Sequence, residues 1–262
     1  MTIITMLSDF GLSDSYAASM KGVILSISPE SRIVDISHLI EKYDIIAGAF
    51  TLASVVDYFP KGTVHMAVVD PGVGTRRRGI AISSPKCYFV GPDNGLLIPA
   101  ALRMGILEVR SISEEKIGVG KVSGTFHGRD IFAPVAAHLA REGKFRDIGP
   151  RIEDFIRLQL PKPIITQHTI MGQIIHQDSF GNLITNIETE ALRKINTGSQ
   201  IAIEFNDRKM MIKIRPSYGH GEPGELLAAV GGTGFLEISV NQGDASKHTG
   251  AGKGTEIRVS AI

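Results

Sequence analysis

Over its first 160 residues the chain alternates short β-branched or apolar runs with longer stretches of helical period, which predicts a largely parallel sheet covered on both faces. The predicted strands are Ile3 to Leu7, Arg32 to Ile36, Thr63 to Val69 and Cys87 to Val90. Helices are predicted near Ser15 to Ser26, Asp44 to Tyr58 and Asn94 to Met104, and a fourth from Ile131 to Arg141, capped by Asp130 and with Pro134 in its first turn. Two prolines in Leu158 to Pro163 break both periods and mark a domain boundary. Beyond it the pattern becomes one of short alternating runs joined by Gly, Asn and Pro turns: Ile170 to His176, Leu183 to Ile187, Gln200 to Phe205, Lys209 to Ile214, Leu226 to Val230, Phe235 to Val240 and Glu256 to Val259. The expected fold class is α/β: an N-terminal, largely parallel α/β sandwich domain over 1–160 and a smaller C-terminal antiparallel β domain, barrel or sandwich, over 164–262.

Composition narrows the partners. With 43% hydrophobic and 21% charged residues in 262, the chain can bury a substantial core in one or two domains. Its 28 basic and 27 acidic residues leave a formal charge of +1, and aromatic content is 6%, so neither the field nor the basic face expected of a nucleic-acid binder is present. No stretch reaches the ~18 uninterrupted apolar residues of a membrane helix, and the N-terminus shows no basic leader, which together give the expectation of a cytoplasmic protein with a small-molecule ligand. Cys87 lies in an apolar run and reads as a buried residue.

The chemistry-bearing positions gather at predicted strand ends. Asp9, Asp35, Asp70 and Asp93 each lie at or just beyond the carboxyl end of an apolar run, the edge at which open parallel sheets bind ligands, although each could instead cap the next helix or turn. Two glycine-rich segments, Val69 to Arg77 and Gly124 to Asp130, place Asp, Arg and His in sharp bends. No Asp-x-Asp or His-x-x-x-His spacing supports a metal site, and none is expected. The run Gly231 to Gly234 does not lead from a strand into a helix and reads as a tight turn rather than a phosphate loop.

Taken in order, Leu7-Ser8-Asp9-Phe10-Gly11, Val69-Asp70-Pro71-Gly72-Val73-Gly74, Gly91-Pro92-Asp93-Asn94-Gly95, the His127 segment, Ser179-Phe180-Gly181-Asn182 and Leu236-Glu237-Ile238 carry a specific resemblance. Over essentially its whole length the chain resembles the S-adenosyl-L-methionine hydroxide adenosyltransferases, relatives of the fluorinase and chlorinase. The resemblance implies hydrolysis of S-adenosylmethionine at C5′ to adenosine and L-methionine, with Asp70, Arg77 and His127 as catalytic residues. Among these, His127 is the expected proton acceptor, oriented or made more basic by Asp70, with Arg77 as an electrostatic positioner. Asp9 is implied at the ribose hydroxyls, Asn182 and the backbone from Val240 to Gln242 at adenine, Asp178, Tyr218, Thr233 and Glu237 at the methionine portion, and Phe180 among the substrate-binding residues. S-adenosylmethionine is the substrate and no cofactor is implied; the family further implies a homotrimer with the site at the subunit interface. The alternatives are an adenosyl halogenase of the chlorinase type, or a protein that only binds adenosine or S-adenosylmethionine. Against the first, the fluorinase has an aromatic hydroxyl residue in place of Asp70 and a serine in place of Gly128, while glycine at that second position is shared with the chlorinase. A carboxylate at Asp70 would also oppose an entering anion, by about 4 kcal/mol at ~4 Å and an effective dielectric of 20.

Overall fold

A computed structural model describes residues 1–117, 122–195, 197–206 and 208–262 and divides into two compact units, Met1–Gln159 and Leu160–Ile262. The first unit runs β1 (Ile3–Ser8), α1 (Tyr16–Ile27), β2 (Arg32–Ser37), α2 (Ile45–Val55), β3 (Thr63–Val68), β4 (Gly79–Ser83), β5 (Cys87–Pro92), α3 (Ile98–Met104), β6 (Glu108–Ser111), α4 (Glu114–Ile117) and α5 (Ala133–Ala140). Its sheet has the order β2-β1-β3-β5-β4-β6, with the first four strands parallel and β4 antiparallel to both its neighbours. β4 and β6 were not predicted, because four or five residues are too few to show a period and β6, Glu-Val-Arg-Ser, has no apolar run.

Alternation along the central strands sends side chains to two separate cores. Met66 and Val68 of β3 pack with Met20 and Ile24 of α1 and Val135 and Leu139 of α5, whereas Ala67 and the adjoining Val69 pack with Leu52 of α2 and Ile98 of α3. Two helix starts differ from expectation. Pro99 is tolerated only in a first turn, and Gly95 has φ +92°, so the third helix begins at Ile98 rather than Asn94. The fourth begins early, with one π-helical turn over Gly128–Phe132 ahead of α5; Pro134 has no amide to close an α-helical turn on the Asp130 carbonyl, and the wider turn fits that loss. Asp130 therefore does not cap: its carboxylate accepts from the Ser123 amide at 2.8 Å and pairs with Arg129. Cys87 is buried, and its Sγ lies 3.3 Å from Ser84 Oγ.

The sheet order places a topological switch at β1, since the chain leaves β1 for β2 on one side and reaches β3 on the other. Ser8 is in register with Val68, so the segments that follow β1 and β3, bearing Asp9 and Asp70, emerge at one edge.

In the second unit, β7 (Ile164–Ile165), β8 (Thr169–Gln177), β9 (Leu183–Glu188), α6 (Thr189–Lys194), β10 (Gln200–Phe205), β11 (Arg208–Ile214), β12 (Leu226–Val230), β13 (Phe235–Val240), α7 (Ala245–Thr249) and β14 (Glu256–Ala261) follow in sequence. Pairing in the order β14-β10-β11-β12-β13-β9-β8, and of β8 back onto β14, closes a seven-stranded barrel, with β7 added outside on β8. One pairing departs from the antiparallel expectation: β11 and β12 run parallel, because residues 215–225 carry the chain back across the barrel instead of reversing it in a hairpin. Leu236, Ile238 and Val240 face the barrel core. Among the described residues, no helix of either unit is long and apolar enough to cross a membrane.

Candidate active site

Two turns build the first cluster. The segment after β3 bends through Gly74, at φ +75°, and a Cβ there would fall 2.2 Å from the carbonyl oxygen of Gly124. Only glycine permits this approach, and it brings the Arg77 segment onto the His127 segment. Arg77 donates through Nε to Asp70 Oδ1 at 3.0 Å and through Nη2 to Asp70 Oδ2 at 2.5 Å. The same Nη2 lies 3.0 Å from His127 Nδ1, and Nη1 donates to the Arg78 carbonyl at 2.8 Å. Side-chain exposures of 9% for Arg77 and 5% for Asp70 make this a buried ion pair, and the Phe132 ring lies 5.5 Å from the guanidinium carbon. The flanking arginines go elsewhere. Arg78 pairs with Asp93 and Asp154, and Arg76 is exposed.

The order of groups is thus carboxylate, guanidinium, imidazole, and it changes the roles expected of them. A guanidinium only donates, so His127 Nδ1 must accept, which leaves the ring neutral with its proton on Nε2. Burial and then the Arg77 charge both push the His127 pKa down, against the weaker pull of Asp70. Asp70 does not orient His127 directly; Arg77 lies between them. Burial, opposed by Arg77, pushes the Asp70 carboxyl above the usual aspartate range and so raises its appetite for a proton.

Asp9 lies at the same edge, half-buried, with Oδ2 accepting from the Tyr43 amide at 2.9 Å. Phe10, Tyr16 and Phe126 form an aromatic cluster with centroids 5.2 to 5.8 Å apart. Gly128 packs beneath it, where a Cβ would fall 2.9 Å from Met20 Sδ and 3.4 Å from the Phe10 ring. Asp35 and Asp93 serve the fold instead: Asp35 pairs with Lys21 and His38, and Asp93 pairs with Arg78 and accepts from the Ile156 amide.

A second cluster forms in the barrel unit. Asp178 Oδ1 accepts from the amides of Phe180 and Asn182, each at 2.9 Å, and Oδ2 accepts from Asn182 Nδ2 at 2.8 Å. This leaves the Asn182 carbonyl oxygen and one amide hydrogen for another partner. Phe180 is 76% exposed. On β13, Glu237 faces away from the core and accepts from the Tyr218 hydroxyl. A Cβ on Gly231 would fall 1.7 Å from Glu237 Oε1, so that glycine makes the room for the carboxylate. Burial first, and the nearby Asp178 charge second, push Glu237 upward against the Tyr218 hydrogen bond; burial and Glu237 together push the Tyr218 phenol upward. The buried hydroxyl of Thr233 has no hydrogen-bond partner among the described residues. The Val240 side chain belongs to the barrel core, its carbonyl accepts from the Gly243 amide at 3.1 Å, and Gln242, two residues on, is held at φ +55°. Gly231 to Gly234 form the β12–β13 hairpin turn, the Gly234 amide donating to the Gly231 carbonyl and the Gly231 amide to the Phe235 carbonyl, each at 2.9 Å.

Residues 4–149 match the SAM hydroxide adenosyltransferase N-terminal domain, and residues 172–258 match the C-terminal domain of the same family. The chain belongs to this family. Its relatives include proteins named (R)-S-adenosyl-L-methionine hydrolase from Salinispora tropica, 37% identical over 98% of this chain and 97% of that one, and from Thermus thermophilus, 36% identical over 99% and 100%. A protein named fluorinase from Nocardia brasiliensis is 27% identical over 91% and 90%. The crystal structure of an uncharacterized conserved protein from Thermotoga maritima superposes with a TM-score of 0.92 at 36% identity, covering 98% of this chain and 99% of that one. Both clusters fall within the segments matched to the family, the Asp70 row in the N-terminal domain and the Glu237 group in the C-terminal domain.

Proposed function

We propose that the chain is an S-adenosyl-L-methionine hydrolase, forming adenosine and L-methionine by attack of water on C5′. The observation that carries this reading is the buried row of Asp70, Arg77 and His127 in a chain similar to named hydrolases over nearly its full length.

The chemistry follows from what each group can do. A sulfonium leaves as a neutral thioether, so its departure needs no acid. The new bond joins the water oxygen to C5′, the C5′–sulfur pair stays on sulfur, and the water must lose a proton as it attacks. Asp70 takes that proton, its affinity for it raised by burial. Arg77 fixes the carboxylate in a bidentate grip and stays cationic beside the oxygen that gains hydroxide character. Neutral His127, fixed by the same guanidinium, offers its Nε2 proton as a donor that orients the nucleophile.

An acceptor-only carboxylate favours a nucleophile that brings protons, which water does and halide does not. This supports hydrolysis over the halogenation suggested by the fluorinase relatives, and a protein that merely binds adenosine has no use for a buried Asp–Arg–His row. Asp9 is assigned to the ribose hydroxyls and Phe180, Asn182, Gln242 and the Val240 backbone to adenine. Glu237, Asp178 and Tyr218 form an acidic group suited to the methionine ammonium, with Thr233 offering its unpartnered hydroxyl to the carboxylate. A homotrimer with the site at its subunit interface and a cytoplasmic location belong to the same proposal and rest on the family resemblance. Light scattering at three chain masses supports the assembly, and a single chain mass overturns it.

The test of the reaction is incubation with S-adenosylmethionine in oxygen-18 water containing chloride. Adenosine labelled at its 5′ oxygen is the expected product. 5′-Chloro-5′-deoxyadenosine would reassign the chain to halogenation, and unchanged substrate with tight adenosine binding would reassign it to sensing.

A further inference from the structure

Outside the Asp70 row, one buried cluster at the same sheet edge has no role in the mechanism. His38, in the loop after β2, is 3% exposed and held at both ring nitrogens. Its Nδ1 lies 2.7 Å from Ser8 Oγ, and its Nε2 lies 3.2 Å from Asp35 Oδ1, whose other oxygen accepts from Lys21 Nζ at 2.5 Å. The carboxylate can only accept, so Nε2 carries the proton; in the neutral ring Nδ1 accepts from the Ser8 hydroxyl. Serine, imidazole and carboxylate in a row resemble a nucleophilic triad. Ser8, however, is 0% exposed within β1, and its Oγ also receives the Phe10 amide at 3.4 Å. No substrate atom reaches a hydroxyl so enclosed, and the row is a strut rather than a second catalytic centre.

What the strut holds is visible in the backbone. The His38 carbonyl accepts from the Gly11 amide at 2.7 Å, and the Ser8 carbonyl accepts from the Ile40 amide at 3.3 Å. His38 therefore grips the turn on both sides of Asp9, by its ring at Ser8 and by its backbone at Gly11. Gly11 sits at φ +74°, so the turn itself is one that an ordinary residue would strain. Phe10, inside the grip, lays its ring against Phe126 and lies 3.4 Å from where a Cβ on Gly128, the residue after His127, would fall.

We infer that His38 is a positioning residue for substrate binding, acting through Ser8 to hold the Ser8–Gly11 turn so that Asp9 meets the ribose hydroxyls. The inference rests on the assignment of Asp9 to ribose. It sets His38 apart from the Asp70 row by predicting a defect in binding rather than in the chemical step.

Calorimetric titration with adenosine, alongside KM and kcat for S-adenosylmethionine, tests it. His38→Ala is expected to weaken adenosine binding and raise KM by about tenfold or more, with kcat within about threefold of wild type, because a misplaced ligand group loses binding in the ground and transition states alike. The isosteres separate positioning from filling space. His38→Asn keeps an acceptor near the Nδ1 position for Ser8 and is expected to stay within about threefold of wild type, whereas His38→Gln reaches Asp35, loses Ser8 and is expected to resemble alanine. Ser8→Ala is expected to match His38→Ala, and the double variant to be no worse than either, as for partners in one contact. If His38→Ala does not fold, Ser8→Ala and the Asn–Gln pair carry the test. Unchanged adenosine affinity in these variants, equal losses in Asn and Gln, or a fall in kcat at unchanged affinity would overturn the inference. Asp9→Ala distinguishes the two levels: affinity lost there but kept in the His38 and Ser8 variants removes the inference alone, and affinity kept in Asp9→Ala removes the ribose assignment and the inference with it.

Discussion

Asp70→Asn is expected to lower kcat for S-adenosylmethionine hydrolysis by about 10²-fold or more, the scale of a lost general base, while adenosine affinity stays within about threefold. The amide keeps the shape of the carboxylate but cannot take the water's proton, and it turns one accepting atom facing Arg77 into a donor. The same change strands a guanidinium whose side chain is 9% exposed without its anion. A melting-temperature loss accompanies it, because an unpaired buried charge costs about 3–5 kcal/mol. The pH profile supplies the independent readout. Asp70 works deprotonated, and burial holds its pKa above the ordinary aspartate value, so kcat falls as pH drops through that raised value and recovers above it. In Asp70→Asn this acid limb disappears from whatever rate remains. A variant that loses binding and rate equally, or that keeps the limb, would take Asp70 out of proton transfer.

Gly74→Ala is expected to cost nearly as much at a position that touches no substrate. The residue has φ +75°, and its Cβ would sit 2.2 Å from the Gly124 carbonyl oxygen, so two penalties act together. The left-handed conformation costs about 1–3 kcal/mol for a residue with a side chain, and the clash is with backbone, which cannot rotate away as a flexible side chain can. The turn must move, and it carries Arg77 away from His127, which it now approaches at 3.0 Å. Because about 1 Å of misplacement can cost 10²-fold, kcat/KM is expected to fall by that order, measured as adenosine released, with the barrel unit still folded. Full activity in this variant would mean that the two glycine-rich turns need not touch.

Much of this was legible along the chain. Residues alternating between two faces of a strand, such as Met66 and Val68 against Ala67 and Val69, announce a sheet buried on both sides, because the period depends only on neighbours. The same is true of Leu236, Ile238 and Val240 facing the barrel core with Glu237 turned away. The glycines of the two bends and the carboxylates at strand ends also stood out, since a sharp turn and a parallel sheet edge are local signatures.

The tertiary structure decided which of those carboxylates are spent on the fold. Asp35 and Asp93 looked like Asp9 and Asp70 in sequence, yet the first pair is taken up by Lys21, His38 and Arg78, partners whose approach depends on strand order. It also placed Arg77 between Asp70 and His127, which makes the imidazole a fixed neutral donor and turns the proton toward the carboxylate. His38 gave no signal in sequence, because a histidine beside a serine thirty residues away has no period and no motif. Hydrophobic period is a property of consecutive residues, whereas a hydrogen bond or the pKa of a buried group is set by whatever the chain's crossings bring beside it.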